Sequence, residues 1–202
     1  MIKGLLIVIS APSGAGKSTL CLALAEKRPE VWVSVSCTTR PPRPGEKDGR
    51  DYKFLSPEEF ERHLKAGDFI ETARVHDFLY GTLKQPVVDA LSAGRDVALN
   101  IDTQGARSVK AQFPDCVRAF ILPPSWTVLA ERLHKRAQDG ADVIAKRLAN
   151  AREEIGHLSE YDYVVVNDRL RDALDDLLSI LRAEKRRFPR LKEEMKKLDF
   201  LR

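Results

Sequence analysis

A short apolar run followed directly by a loop of small residues is the feature that most constrains this chain. Residues 5–9 are uninterrupted Leu, Ile and Val, and the loop that follows them, residues 10–19, reads SAPSGAGKST. Leu20, Leu22 and Leu24 then begin a helical stretch. This order predicts a buried parallel strand, a tight loop and a helix.

The loop also has the spacing of a phosphate-binding loop, GxxxxGKS/T, except that Ala11 replaces the first glycine. In such loops the backbone N–H groups and the helix N-terminus cradle a polyphosphate, a lysine neutralises the β- and γ-phosphates, and a hydroxyl binds Mg²⁺. Lys17 and Ser18 have the last two positions. An ordinary glycine-rich turn is the alternative, and the strand before the loop and the helix after it argue against that. The residues expected at the donor nucleotide's phosphates are Ala11, Pro12, Ser13, Gly14, Ala15, Gly16, Lys17, Ser18 and Thr19.

Further apolar runs indicate the fold class. They lie at Val97–Ile101, Val117–Leu122 and Tyr163–Val166, separated by charged stretches of helical length. Strands that alternate with helices predict an α/β fold with a parallel sheet flanked by helices. We therefore expect one domain over residues 1–202, made of a core (1–33, 91–125 and 157–187), a proline- and glycine-rich insert (34–90), an arginine-rich helical lid (126–156) and a basic tail (188–202).

Composition excludes several classes of protein. No run reaches the roughly 18 apolar residues that a membrane helix needs, so we expect a cytoplasmic protein with no membrane partner. The three cysteines are widely spaced and odd in number, which argues against a disulfide framework or a zinc site. Of the net charge of +4, residues 185–202 carry eight Lys/Arg against three Asp/Glu. The basicity is thus mostly a tail, and we expect no nucleic-acid partner.

Two arginines in the insert indicate a second phosphate site. Arg40 and Arg43 are separated and flanked by prolines, and Tyr52 follows a short distance later. Guanidinium groups held stiffly in this way can bind a phosphate through paired hydrogen bonds, and a phenol can add another donor. A solvated basic loop is the alternative, but solubility alone gives no reason for the rigid prolines.

Taken in order, these and other short motifs resemble the guanylate kinases, over Leu5 to about Arg187. The motifs are SAPSGAGKST, SVSCTTRPPRPGE, GRDYKF, FIE, YGT, NIDTQGA, FILPPS and YVVVND. The resemblance implies a P-loop NTPase core with an inserted GMP-binding subdomain and a helical lid. It also implies Mg²⁺-dependent transfer of the γ-phosphoryl group of ATP to GMP or dGMP, by a monomer or a homodimer.

The resemblance also implies roles for individual residues. The GMP phosphate would be bound by Arg40, Arg43, Tyr52 and Tyr80. The guanine would be read by Ser36, Glu71, Thr82 and Asp102. Lid arginines 132, 136 and 147 would bind the transferring phosphates, and Asn167 and Asp168 would lie near the ATP adenine. The residues that would act in catalysis are Lys17, Arg40, Asp102, Arg136 and Arg147.

The chain departs from the usual guanylate kinase pattern at two places. Asn100 stands where the family usually has a second acid, and Ala137-Gln138 stands where it often has Gly-Thr. Two other functions remain open: a P-loop kinase of another nucleotide or of a sugar phosphate, and a peptide-binding module of guanylate kinase-like fold. Such modules commonly lack an intact phosphate loop, whereas Gly16, Lys17 and Ser18 are present here.

Overall fold

The protein's structure is a computed structural model that describes residues 4–75, 77–136 and 141–195. The elements in chain order are β1 (Leu6–Ser10), α1 (Lys17–Lys27), β2 (Val31–Val33), β3 (Cys37–Thr38), β4 (Lys53–Phe54), α2 (Pro57–Ala66), β5 (Phe69–Val75), β6 (Phe78–Leu83), α3 (Lys84–Ser92), β7 (Asp96–Asn100), α4 (Thr103–Gln112), β8 (Val117–Leu122), α5 (Trp126–Arg136), α6 (Ala141–Gly156), a 3₁₀ turn (Leu158–Glu160), β9 (Tyr163–Val166), α7 (Leu170–Lys185) and α8 (Phe188–Met195).

A five-stranded parallel sheet in the order β2-β7-β1-β8-β9 forms the centre of the protein. Its middle strand, β1, is buried along its whole length. Ile7 and Ile9 pack with residues of α1 and α7, whereas Leu6 and Val8 pack with residues of α3 and α4. Because side chains alternate along a strand, these two clusters lie on opposite faces. The arrangement confirms the predicted α/β class with helices on both faces.

A smaller, four-stranded sheet in the order β4-β3-β6-β5 lies within residues 37–83. Its longest pairing is antiparallel, between β5 and β6, with Glu71 opposite Thr82. α2 precedes β5 and begins with a capping box, in which Ser56 and Glu59 each accept a hydrogen bond from the other's backbone N–H. The sheet therefore positions the middle of the expected insert beside the main core, where α4 contacts β5.

Helices α5 and α6 pack on each other through a separate apolar cluster formed by Leu129, Leu133, Ile144 and Ala151. Ser125 caps the start of α5, because its hydroxyl accepts a hydrogen bond from the Val128 N–H at 3.1 Å. The departures at Ala137 and Gln138 lie outside the described residues.

The part of the basic tail that the structure describes forms α8, which ends at Met195. It is attached to the core through Arg190, whose Nη2 donates to the Asp115 carbonyl at 2.5 Å. The Nε of the same side chain lies 3.9 Å from Oε2 of buried Glu184. Among the described residues, we find no helix that combines the length and the apolar character needed to cross a membrane.

Candidate functional site

The loop between β1 and α1 has the shape of an anion-binding turn. Gly14 and Gly16 both have φ of 90°, a conformation that residues with a side chain rarely adopt. Both glycines are also crowded: a β-carbon at Gly16 would lie 2.5 Å from Asn167 Nδ2, and one at Gly14 would lie 3.0 Å from Leu133 of α5. The loop thus brings its backbone close to α5 and to the end of β9.

Lys17 is the first residue of α1 and reaches the neighbouring strand. Its Nζ donates a 2.7 Å hydrogen bond to the carbonyl of Ile101, just after β7. Burial lowers the pKa of Lys17, opposed by nearby Cys21, Asp102 and Glu154. The first turn of α1 contains no acidic residue, and Ser18 is exposed there. This helix N-terminus can therefore accept an anion.

The residues expected on the far side of the donor nucleotide meet at the same loop. Asn167 is 6 % exposed and donates from Nδ2 to the Ala15 carbonyl at 2.8 Å. Arg132 of α5 donates to the backbone carbonyls of Asn167 at 3.0 Å and Asp168 at 3.4 Å. The phosphate loop, α5 and the end of β9 are thus joined by hydrogen bonds.

A buried carboxylate lies opposite the phosphate loop, on the smaller sheet. Glu71 Oε1 accepts a 2.6 Å hydrogen bond from the Thr82 hydroxyl, and its other oxygen faces Gly105 of α4. Asp102 caps α4 by accepting from the Gly105 N–H at 2.8 Å. Burial raises the pKa of Glu71, and Asp102 adds to that effect, whereas Thr82 and Lys17 oppose it. Three polar side chains of one expected subsite therefore lie together.

Ser36, the fourth residue expected at the guanine, is partly buried and immediately precedes β3. The next residue, Cys37, pairs with Gly81, which precedes Thr82 in β6. Strand pairing thus brings the backbone at Ser36 to the same end of the sheet as Thr82.

Arg40 is a buried cation with aromatic neighbours. It is 8 % exposed, and its Nη2 donates to both oxygens of Glu46 at 2.9 Å. Its guanidinium carbon lies 5.4 Å from the centroid of the Tyr52 ring, and that ring lies 6.0 Å from Tyr80. The hydrogen bond to Glu46 raises the pKa of Arg40, and Tyr80 adds to it, against the effect of burial.

Arg43 differs from Arg40 in being exposed. Its backbone N–H donates to Glu46 Oε2 at 2.7 Å, so Glu46 contacts both arginines. Burial raises the pKa of the Tyr52 phenol, and the positive charges of Arg40 and Arg43 oppose that rise. The charges of both arginines therefore affect the pKa of the same phenol.

Comparison with known proteins decides the family. The family model described as guanylate kinase matches residues 3–184. The chain is 53% identical over 196 residues to the guanylate kinase of Vibrio parahaemolyticus, covering 96% of this chain and 92% of that protein. It is 50% identical over 184 residues to the guanylate kinase of Maricaulis maris, covering 91% of this chain and 84% of that protein. The crystal structure of guanylate kinase from Anaplasma phagocytophilum superposes with a TM-score of 0.80 at 35% identity, covering 96% and 95%.

The chain belongs to the guanylate kinase family. The resemblance drawn from its motifs is therefore confirmed, and with it the P-loop NTPase fold. Two arginines of this guanylate kinase family member that were expected at the transferring phosphates belong to α5 and α6. Arg147 lies on α6 and is partly buried, whereas the side chain of Arg136 lies outside the described residues.

Two acidic residues near these groups were given no role from the sequence. Glu46 is the last residue of the motif SVSCTTRPPRPGE and contacts Arg40, but a single acid beside a glycine is also typical of an ordinary loop. Glu154 lies two turns after Arg147 on α6, where burial raises its pKa against the effect of nearby Lys17. The helical spacing from Arg147 was the one signal that could have pointed to Glu154.

Proposed function

We propose that this member of the guanylate kinase family transfers the γ-phosphoryl group of ATP to GMP or dGMP, giving ADP and the nucleoside diphosphate. A continuous series of contacts carries the proposal. Lys17 donates to Ile101, the next residue Asp102 caps α4 at Gly105, and Gly105 lies against Glu71. The loop that would bind phosphate and the buried carboxylate that would read the purine are thus joined through one short segment.

On the donor side, residues 11–19 would cradle the ATP phosphates with their backbone N–H groups, and Lys17 would neutralise negative charge there. The other side of the same nucleotide would be contacted by Arg132, Asn167 and Asp168. Their hydrogen bonds to the loop and to each other support this placement. The lid arginines Arg136 and Arg147 would contribute positive charge at the transferring phosphoryl group.

On the acceptor side, Arg40, Arg43, Tyr52 and Tyr80 would bind the GMP phosphate. The guanidinium of Arg40 is already oriented by Glu46, and this reduces the entropy lost when a phosphate binds. Arg43 is exposed and would complete the site from the loop.

Guanine selection would depend on Glu71 together with Ser36, Thr82 and Asp102. Guanine presents two N–H donors beside a carbonyl acceptor, and a carboxylate can accept from both donors. Adenine lacks the N2 amine and carries an amine in place of the carbonyl, so it would leave polar groups of the site unpaired. Each unpaired buried polar group costs about 1–3 kcal/mol, which is enough to select strongly against AMP.

We propose that a magnesium ion binds here with ATP. Ser18 would offer its hydroxyl at the helix N-terminus, and the acidic residues Asp102 and Glu154 lie near enough to Lys17 to act on its charge. Hydroxyl, carboxylate and phosphate oxygens are the ligands that Mg²⁺ prefers. When bound, the ion would neutralise charge on the phosphates. We further propose that the protein acts in the cytoplasm on ATP and GMP. It would act as a monomer or homodimer, without a nucleic-acid or membrane partner.

The test is an acceptor panel. Purified protein with ATP and Mg²⁺ should form ADP with GMP and dGMP, and much less with AMP or a sugar phosphate. Lys17→Met, which removes the charge but keeps most of the side chain's length, should lower turnover by about a thousandfold or more. Lys27→Met, at an exposed position of the same helix, is the matched control. Phosphorylation of another acceptor with none of GMP would contradict the proposal, as would calorimetry without ATP or GMP binding.

A further inference from the structure

Gly105 is placed where a side chain would disturb the buried carboxylate. It lies in the first turn of α4 and is itself buried. A β-carbon built on it would lie 2.9 Å from Glu71 Oε2 and 3.3 Å from Asp102 Oδ1. The first distance is shorter than the van der Waals contact that carbon and oxygen maintain, so an alanine would force one of them to move.

Backbone geometry gives no reason for glycine here. Residue 105 has a helical conformation, and its φ is not among the positive values found at other glycines of the chain. In a helix, glycine is less favourable than alanine by about 1 kcal/mol. The space beside Glu71 is therefore the physical reason for a residue without a side chain.

Glu71 cannot easily yield that space. Its Oε1 is bound to the Thr82 hydroxyl at 2.6 Å, and the residue is 5 % exposed on a strand paired with β6. To relieve the contact with a methyl group, the carboxylate must rotate or move, and either change lengthens or misaligns the bond to Thr82. A small change at residue 105 is thus passed directly to the group that would read guanine.

We propose that Gly105 is a positioning residue for purine selection: the missing side chain sets the place of the Glu71 carboxylate and, through it, the preference for a base with an N2 amine. This inference rests on the proposed phosphorylation of GMP. Gly105 itself touches no reacting atom in this scheme. We expect the larger effect on the acceptor side, because the donor contacts of Lys17 and Asn167 are made with other residues.

The first experiment compares Gly105→Ala with the wild type. We expect the KM for GMP to rise about tenfold or more and the KM for ATP to stay within about twofold, because one buried charged hydrogen bond is impaired. The preference for GMP over IMP, which lacks the N2 amine, should fall. The melting temperature of each variant, measured without substrate, separates a loss of stability caused by the added methyl group from a loss of GMP binding. Gly156→Ala, where a β-carbon meets no atom within 4 Å, is the matched control and should leave all these values unchanged.

The decisive experiment is a double-mutant cycle with Glu71→Asp, which shortens the side chain by one methylene and withdraws the carboxylate from residue 105. In that background, Gly105→Ala should change the KM for GMP less than about twofold, because the two residues no longer touch. Equal effects in both backgrounds would overturn the proposal and assign the effect to α4 instead.

Two further outcomes separate this inference from the function on which it rests. If the wild type fails to phosphorylate GMP, both the proposed function and the role of Gly105 are refuted. If the wild type is active and Gly105→Ala has the same KM for GMP and the same preference for GMP over IMP, only the role of Gly105 is refuted. If Gly105→Ala does not fold, the double variant decides: recovery of folding with Glu71→Asp supports crowding between the two residues, and failure to recover rejects it.

Discussion

Thr82 donates a 2.6 Å hydrogen bond to Glu71 Oε1, and the two residues are also register partners across β5 and β6. Backbone pairing and side-chain bonding therefore fix the same carboxylate. These two constraints hold the carboxylate in one position before a ligand arrives.

Replacing Glu71 by glutamine should weaken GMP binding. The amide keeps one oxygen that can accept from Thr82, but it places an N–H₂ donor where the second acceptor oxygen was. We expect the KM for GMP to rise about tenfold or more and the preference for GMP over AMP to fall, with the KM for ATP unchanged. Steady-state assays with both acceptors measure this. Glu61→Gln, on the exposed surface of α2, is the control, and equal loss in both variants would refute the prediction.

Glu71 should also affect how the free energy of unfolding depends on pH. Burial raises the pKa of Glu71 above its ordinary value of 4.5, so the folded chain binds this proton more tightly than the unfolded chain. The contribution of Glu71 to stability therefore decreases as the pH rises from the ordinary value through the raised one. Relative to wild type, Glu71→Gln should gain stability from acidic to neutral pH. Urea midpoints measured across that range test it, and parallel curves would show that Glu71 is not responsible.

The central sheet could be predicted because its strands are continuous apolar runs bounded by loops. β1, β8 and β9 coincide with these runs to within a residue. β2 was not predicted, since three residues next to Pro29 are too short to show a pattern. The strands of the smaller sheet were missed for a related reason: β3 and β4 have two residues each, and their pairing depends on tertiary contacts.

The site was predictable where function requires a fixed local spacing. The loop at residues 10–19 binds through consecutive backbone groups, so its composition reveals it. Glu154 and Lys17 are far apart in the sequence, and only the packing of α6 brings their charges together. The apolar run before Asp102 was predicted to extend to Ile101, but β7 ends at Asn100 and Asp102 caps α4. A carboxylate's cap role is visible only once the helix boundary is known.

Arg40 should not be replaceable by lysine. Its guanidinium makes two 2.9 Å bonds to Glu46 and one of 2.8 Å to the Pro41 carbonyl, which a single ammonium cannot reproduce in the same plane. We expect Arg40→Lys to raise the KM for GMP about tenfold or more while the KM for ATP stays unchanged. Arg62→Lys, whose side chain is 77% exposed on α2, is the matched control. An unchanged KM for GMP would remove Arg40 from the phosphate site.

Replacing Asn167 should lower both the stability of the protein and its affinity for ATP. Its Nδ2 bonds to the Ala15 carbonyl at 2.8 Å, and the residue is 6 % exposed. Asn167→Ala would leave that carbonyl without its partner and open space beside Gly16, so the free energy of unfolding should fall by about 1–3 kcal/mol. Because the carbonyl belongs to the phosphate loop, the KM for ATP should rise more than that for GMP. Chemical denaturation and initial rates measure the two effects. Asn150→Ala, at an exposed position of α6, should change neither, and an equal rise in both KM values would mean that Asn167 supports the fold without shaping the donor loop.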